Sequence, residues 1–258
     1  MRAVSLMYHD ICDSPDASGF SGKDAALYKL TTAAFRGQMT SIAESGLRRP
    51  AVVMNGGEDG DMLFITFDDG GLSAIYAAEI LEDHGWRGHF FVTTGRISTD
   101  SFLGKREIAE LHRNGHIVGS HSHSHPLRMA SLDRSEIFKE WQTSVRELED
   151  ITGDKVKVAS VPGGLYSREV AECADENGIE FLFTSEPTMA VKRVGNCAIL
   201  GRYAVQNSTH LREVESAANG DRMPWLKQQL LWNTKKPIKR LGGESFLRLR
   251  EAFIGWRS

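Results

Sequence analysis

Along this chain, short runs of β-branched and aromatic residues alternate with helical stretches that end at glycine, the pattern of repeated βα units. Strands are predicted at Ala3 to Tyr8, Leu63 to Phe67, His89 to Thr93, His116 to Ser120, Val156 to Val161, Glu180 to Thr184 and Ala198 to Val205. The helical stretches stop at Gly46, Gly85, Gly115, Gly153 and Gly178, where a residue without a Cβ can take the left-handed conformation that closes a helix. Ser73 and Ser167 stand where a hydroxyl can cap a first turn, and Phe35, Met39 and Ile42 before Gly46 have the spacing of a core-facing helix. Gly56 to Asp61 reads as a solvated turn. The alternation implies parallel strands with functional groups at their carboxyl ends. About seven such units fit a closed or nearly closed (β/α) barrel better than an open sheet.

With 258 residues, 41% of them hydrophobic and 25% charged, the chain can bury a full core in one large α/β domain. A formal net charge of -3 gives no global attraction to nucleic acid, so no nucleic-acid partner is expected. Cys12, Cys173 and Cys197 are odd in number and far apart, and read as buried apolar side chains. With no disulfide pattern, no apolar run long enough to span a membrane, and too short an apolar stretch after Met1 for a signal peptide, a cytoplasmic location is expected.

The chemistry gathers behind two predicted strands. Leu63 to Phe67 leads into Asp68-Asp69-Gly70-Gly71, where two adjacent carboxylates repel one another and call for a compensating cation, unless the segment serves only as a turn. His116 to Ser120 leads into His121-Ser122-His123-Ser124-His125, so four of the nine histidines fall within ten residues. His121 and His125, spaced i and i+4, share one side if they lie on a helical turn, and with Asp69 they make a metal set that leaves positions open for water and substrate. His123 then points away and His116 belongs to the strand. His84, His89, His112 and His210 have no partner pattern and read as structural.

Thr66-Phe67-Asp68-Asp69-Gly70 and His121-Ser122-His123-Ser124-His125 resemble the first two motifs of the polysaccharide deacetylase (NodB-homology, carbohydrate esterase 4) family, over roughly Leu63 to Thr184. The resemblance implies a distorted (β/α) barrel, Asp68 as general base, and one divalent ion, zinc in the first instance, on Asp69, His121 and His125. Val161-Pro162-Gly163-Gly164 stands where the family's third motif has Arg-x-Pro with a following tyrosine and glycine. Here the arginine and tyrosine are absent. Pro162 and Gly163 keep the oxyanion side of the motif through the Gly163 N–H, and Arg202 could supply a guanidinium from another strand. His9, in Tyr8-His9-Asp10-Ile11, matches the opening of the permuted exopolysaccharide-modifying branch and is the expected general acid, the alternative being a hydrogen-bonded strand terminus. The implied reaction is hydrolysis of an acetamide on an N-acetylated sugar by metal-activated water. An inactive sugar-binding or assembly module, and a deacetylase of a non-sugar amide or ester, are the competing readings.

Residues 1–220 are expected to form the barrel and 221–258 a helical extension. The extension carries nine Lys or Arg against three Asp or Glu, together with Trp225, Trp232 and Trp256. Such a segment either packs on the barrel with a solvated basic face or makes a peripheral contact with an anionic membrane or a synthase.

Overall fold

The computed structural model describes residues 2–14, 16–53, 62–164 and 166–241, the last seven as backbone alone. The expected turn at Gly56 to Asp61 and the end of the C-terminal extension lie outside the described residues. The chain runs β1 (Ala3–Tyr8), β2 (Asp10–Ile11), α1 (Lys23–Ala26), β3 (Lys29–Leu30), α2 (Thr32–Ser45), β4 (Met62–Phe67), α3 (Ala74–Asp83) and β5 (His89–Val92). It continues with α4 (Lys105–Arg113), β6 (Ile117–Ser120), α5 (Arg134–Thr152), β7 (Val158–Ser160), α6 (Arg168–Glu176) and β8 (Phe181–Phe183). It ends with β9 (Lys192–Val194), β10 (Cys197–Leu200), β11 (Tyr203–Ala204), α7 (Leu211–Ala218) and α8 (Arg222–Leu241).

Nine strands form one sheet in the order β11-β1-β4-β5-β6-β7-β8-β10-β9, parallel except for the edge hairpin of β9 with β10. The expected strand from Ala198 to Val205 is two strands. β10 pairs with β8 near one edge of the sheet, whereas β11 pairs with β1 at the other. Only Gly201 and Arg202 separate them, so the chain itself bridges the two edges and the sheet is a nearly closed barrel. A Cβ on Gly201 would come within 2.4 Å of the carbonyls of Glu186 and Thr188, which is why the bridge carries glycine there.

Successive side chains of a strand face opposite sides. Leu63, Ile65 and Phe67 of β4 pack outward under the helices, and Phe64 packs inward with Phe91, Phe183 and Leu200 to fill the barrel. Burial on both faces explains the continuous apolar runs in the sequence. The five predicted stops Gly46, Gly85, Gly115, Gly153 and Gly178 all have positive φ. Ser167 caps α6 by accepting from the Val170 N–H. Ser73, by contrast, makes no side-chain cap bond. Its hydroxyl donates to Asp10 and accepts from the Ile11 N–H, because that buried carboxylate is the stronger acceptor within reach.

Candidate active site

The site sits at the carboxyl ends of β1, β4, β6 and β7. β1 and β4 are in register with Tyr8 opposite Phe67, so His9 and Asp68 leave the sheet side by side, and the Asp68 N–H donates to the Tyr8 carbonyl at 3.0 Å. Asp68 is buried, and both carboxylate oxygens accept from Arg202, Oδ1 from Nη1 and Oδ2 from Nη2, each at 2.7 Å. The wholly buried guanidinium also donates to Ser160 Oγ at 2.7 Å, Thr66 Oγ1 at 3.1 Å and the Thr184 carbonyl at 3.1 Å. Its carbon lies 5.7 Å from the Phe91 ring centroid and 6.0 Å from that of Phe183, on the aromatic filling of the barrel. Arg202, on the bridge between β10 and β11, thus supplies the guanidinium beside Asp68. Arg202 was expected among the oxyanion and substrate residues, but its guanidinium is turned inward onto Asp68, Thr66, Ser160 and Thr184.

Burial alone would raise the Asp68 pKa, but the Arg202 guanidinium, with smaller help from His121 and His9, holds it below the ordinary carboxylate value. Asp69, one residue on, has φ 77°, in the region that glycine favours. This turn directs its carboxylate away from Arg202, and Oδ1 lies 3.4 Å from Nε2 of both His121 and His125. Contacts with the two imidazoles outweigh burial and hold Asp69 well below its usual pKa.

The two histidines do not share a helical turn as their spacing suggested. Residues 121–128 form a loop in which Ser122 and His125 have φ of 61° and 59°. Side-chain acceptors hold it in this strained shape. Glu140 of α5 accepts from the N–H groups of His123 and Ser124 at 2.9 and 2.8 Å, and Ser122 Oγ accepts from the His125 N–H at 3.1 Å. His121 Nδ1 is 3.0 Å from the Ser160 carbonyl, a contact that fixes Nδ1–H as the donor and leaves Nε2 free to coordinate. Burial disfavours charge on His121, but Asp68 and Asp69 raise its pKa, a field that also favours any cation placed between them.

One ligand atom from each of Asp69, His121 and His125 lies within 4.8 Å of the other two. Two imidazole nitrogens and a carboxylate oxygen, with their tautomer and orientation held from behind, suit zinc or a similar divalent ion. His123 points elsewhere, its Nδ1 2.9 Å from Thr94 Oγ1.

The remaining predicted residues ring this centre. His9 has its ring 4.5 Å from that of Tyr28, and its buried Nδ1 has no hydrogen-bond partner among the described residues. Pro162 is buried and Gly163 exposed with φ 66°, where a Cβ would come within 2.3 Å of the Leu127 carbonyl, so only glycine fits this contact with the histidine loop. Phe20, with its ring 4.8 Å from that of His125, and Glu140 carry no sequence signal, since both come from segments distant in the chain.

Behind the site lies a second buried ion pair. Asp10 Oδ1 accepts from the hydroxyls of Ser18 at 2.6 Å and Ser73 at 2.9 Å, Oδ2 lies 3.6 Å from Lys29 Nζ, and the ammonium also donates to the Ser18 carbonyl. These bonds pin the loop that carries Phe20, and the start of α3, to the strand end that carries His9.

Comparison with known proteins bears on the family and the fold. The family model for polysaccharide deacetylase matches residues 55–182. A peptidoglycan-N-acetylglucosamine deacetylase of Listeria monocytogenes is 31% identical over 110 residues, 42% of this chain and 22% of the relative. This chain covers about half or less of the length of the curated relatives it matches. A polysaccharide deacetylase structure from Bacillus cereus superposes with TM-score 0.72 at 20% identity, covering 84% of this chain and 69% of that one. IcaB from Ammonifex degensii superposes with TM-score 0.69 at 20% identity, covering 84% and 97%. Both share the fold. The matching family model and the curated relatives identify residues 55–182 as a polysaccharide deacetylase (NodB-homology) domain, and the solved structures share the nearly closed barrel that carries it.

Proposed function

We propose that the chain is a metal-dependent hydrolase that removes acetyl groups from an N-acetylated sugar or polysaccharide precursor. The observation that carries this reading is the division of labour between Asp68 and Asp69, one gripped by Arg202 and the other facing two imidazoles. Asp69, His121 and His125 would hold a single divalent ion, zinc first, which supplies Lewis-acid polarisation of the acetamide carbonyl and an acidified water. Asp68, kept ionised by Arg202, takes the proton as water attacks the carbonyl carbon. The Gly163 N–H donates to the oxyanion, with Pro162 setting the turn. His9 protonates the departing nitrogen as the C–N bond breaks, giving acetate and a free amine. A cytoplasmic location is supported by three buried, free cysteines.

The test is acetate release from N-acetylglucosamine oligomers, with metal content measured beside it for wild type and His121→Ala. About one ion per wild-type chain, lost together with activity in the variant, is the expected result. Acetate release that persists without an ion would refute the metal-dependent reading, and release only from esters or non-sugar amides would refute the substrate.

A further inference from the structure

Helix α8 has two faces of opposite character. Trp225, Gln228 and Trp232, spaced i, i+3 and i+7, form the inner one. Trp225 is buried and donates its indole N–H to the Ala217 carbonyl at 3.1 Å. Gln228 exchanges hydrogen bonds of 2.8 and 2.9 Å with the Ala204 backbone. The Trp232 ring lies so close to Gly164, in the third-motif loop, that a Cβ there would come within 3.0 Å of it. The helix is therefore seated against the active-site loop.

The opposite face is apolar and faces water. Met223, Leu226, Leu230 and Leu231 are 75, 49, 68 and 54% exposed, and none belongs to either core cluster. At 100° per residue Leu226, Leu230 and Met223 gather within about 60° on the side of the helix away from Trp225 and Trp232, and Leu231 lies at the edge of that side, beyond Lys227. A cluster of three large apolar side chains, with Leu231 at its edge, marks a contact surface rather than scatter. Charge identifies the counterpart. The segment from Arg222 to Leu241 contains Arg222, Lys227, Lys235, Lys236, Lys239 and Arg240 and no Asp or Glu. An apolar stripe on a basic helix with no acidic residue is complementary to a negatively charged, apolar-cored surface, the combination that an anionic bilayer presents. Six basic residues make the helix unable to span a bilayer, so it would lie along the surface.

We infer that α8 docks this protein on an anionic lipid surface through Met223, Leu226, Leu230 and Leu231, with the active-site loop held beside that surface by Trp232. Docking itself does not depend on the deacetylase reading. What docking adds to that reading, a substrate class of glycans attached to or assembled at a membrane, does rest on it.

The experiment is co-sedimentation of the full chain with vesicles of phosphatidylglycerol and phosphatidylcholine in equal parts, beside phosphatidylcholine alone, for wild type and Leu226→Glu/Leu230→Glu. The melting midpoint serves as a folding control independent of activity. Wild type is expected to pellet with the anionic vesicles only and to be released as salt is raised toward ~1 M. The variant is expected to bind roughly ten-fold more weakly or worse, with an unchanged midpoint. Wild type that stays in the supernatant, equal pelleting with both vesicle types, or equal pelleting of wild type and variant would each overturn the inference. A midpoint that falls sharply in the variant would also overturn it, because the stripe would then be covered within the protein.

Discussion

Asp68 and Asp10 are both buried carboxylates beside a cation at the ends of neighbouring strands, yet their surroundings give them different work. Asp68 meets a planar guanidinium that occupies one edge of its carboxylate and leaves the Asp69, His121 and His125 cluster beside it. Asp10 is enclosed by Ser18, Ser73 and Lys29, and Cβ atoms on Gly19 or Gly71 would come within 2.2 Å of its oxygens. Burial and pairing keep a charge inside the protein in both cases. Only the pair with an open neighbour is available for chemistry, whereas the closed pair fixes shape.

The contrast breaks most severely if Arg202 is replaced by methionine. Asp68 then loses its fork of donors and its counter-charge, and acetate release should fall about 10²–10⁴-fold, the range for disabling a general base. Denaturant unfolding should show a loss of roughly 3–5 kcal/mol from the unpaired buried carboxylate. Lys29→Met makes the matching cut in the other pair and should cost a similar ~3–5 kcal/mol. Its activity per folded molecule should fall much less, and equal activity losses in the two variants would erase the distinction.

A buried basic group with no carboxylate partner among the described residues sharpens the point. His89, wholly buried, contacts the Ile65 carbonyl and accepts from the Val53 N–H, and burial pushes its pKa down to about 4 from 6.5. The folded value lies below the unfolded one, so His89 affects stability little above pH 6.5. As pH falls from 6.5 toward 4 the unfolded chain takes up a proton that the folded protein refuses, and stability declines by ~3 kcal/mol. Urea titrations at several pH values would detect this decline, and its persistence in His89→Asn would assign it elsewhere. A smaller effect is expected from Gly71→Ala, where the added methyl meets Asp10 and Ser18 and overpacking should cost about 1–3 kcal/mol. A neutral outcome would mean that the Asp10 enclosure is looser than its contacts imply.

The sequence made the sheet legible because each βα unit ends in a glycine and each strand, buried on two faces, is a continuous apolar run. Ala198 to Val205 defeated that logic, since an apolar run cannot reveal that its two halves pair with opposite edges of the sheet. The same break places Arg202, whose role could only be guessed from a missing motif arginine. Asp68, Asp69, His121 and His125 were visible as a set, but the i, i+4 spacing suggested a helical turn. The loop instead depends on left-handed Ser122 and His125 and on Glu140, which arrives from α5 and leaves no local pattern. Ser73 was misread as a cap because its competing acceptor, Asp10, is 63 residues away.

The account rests most heavily on Asp68 acting as a base beside, and not within, the metal-binding trio. The most direct measurement is acetate release by Asp68→Asn with metal content determined on the same preparation. The prediction is an unchanged ion content and a turnover lower by roughly two to four orders of magnitude. Wild-type turnover in that variant, or loss of the ion with the activity, would contradict it.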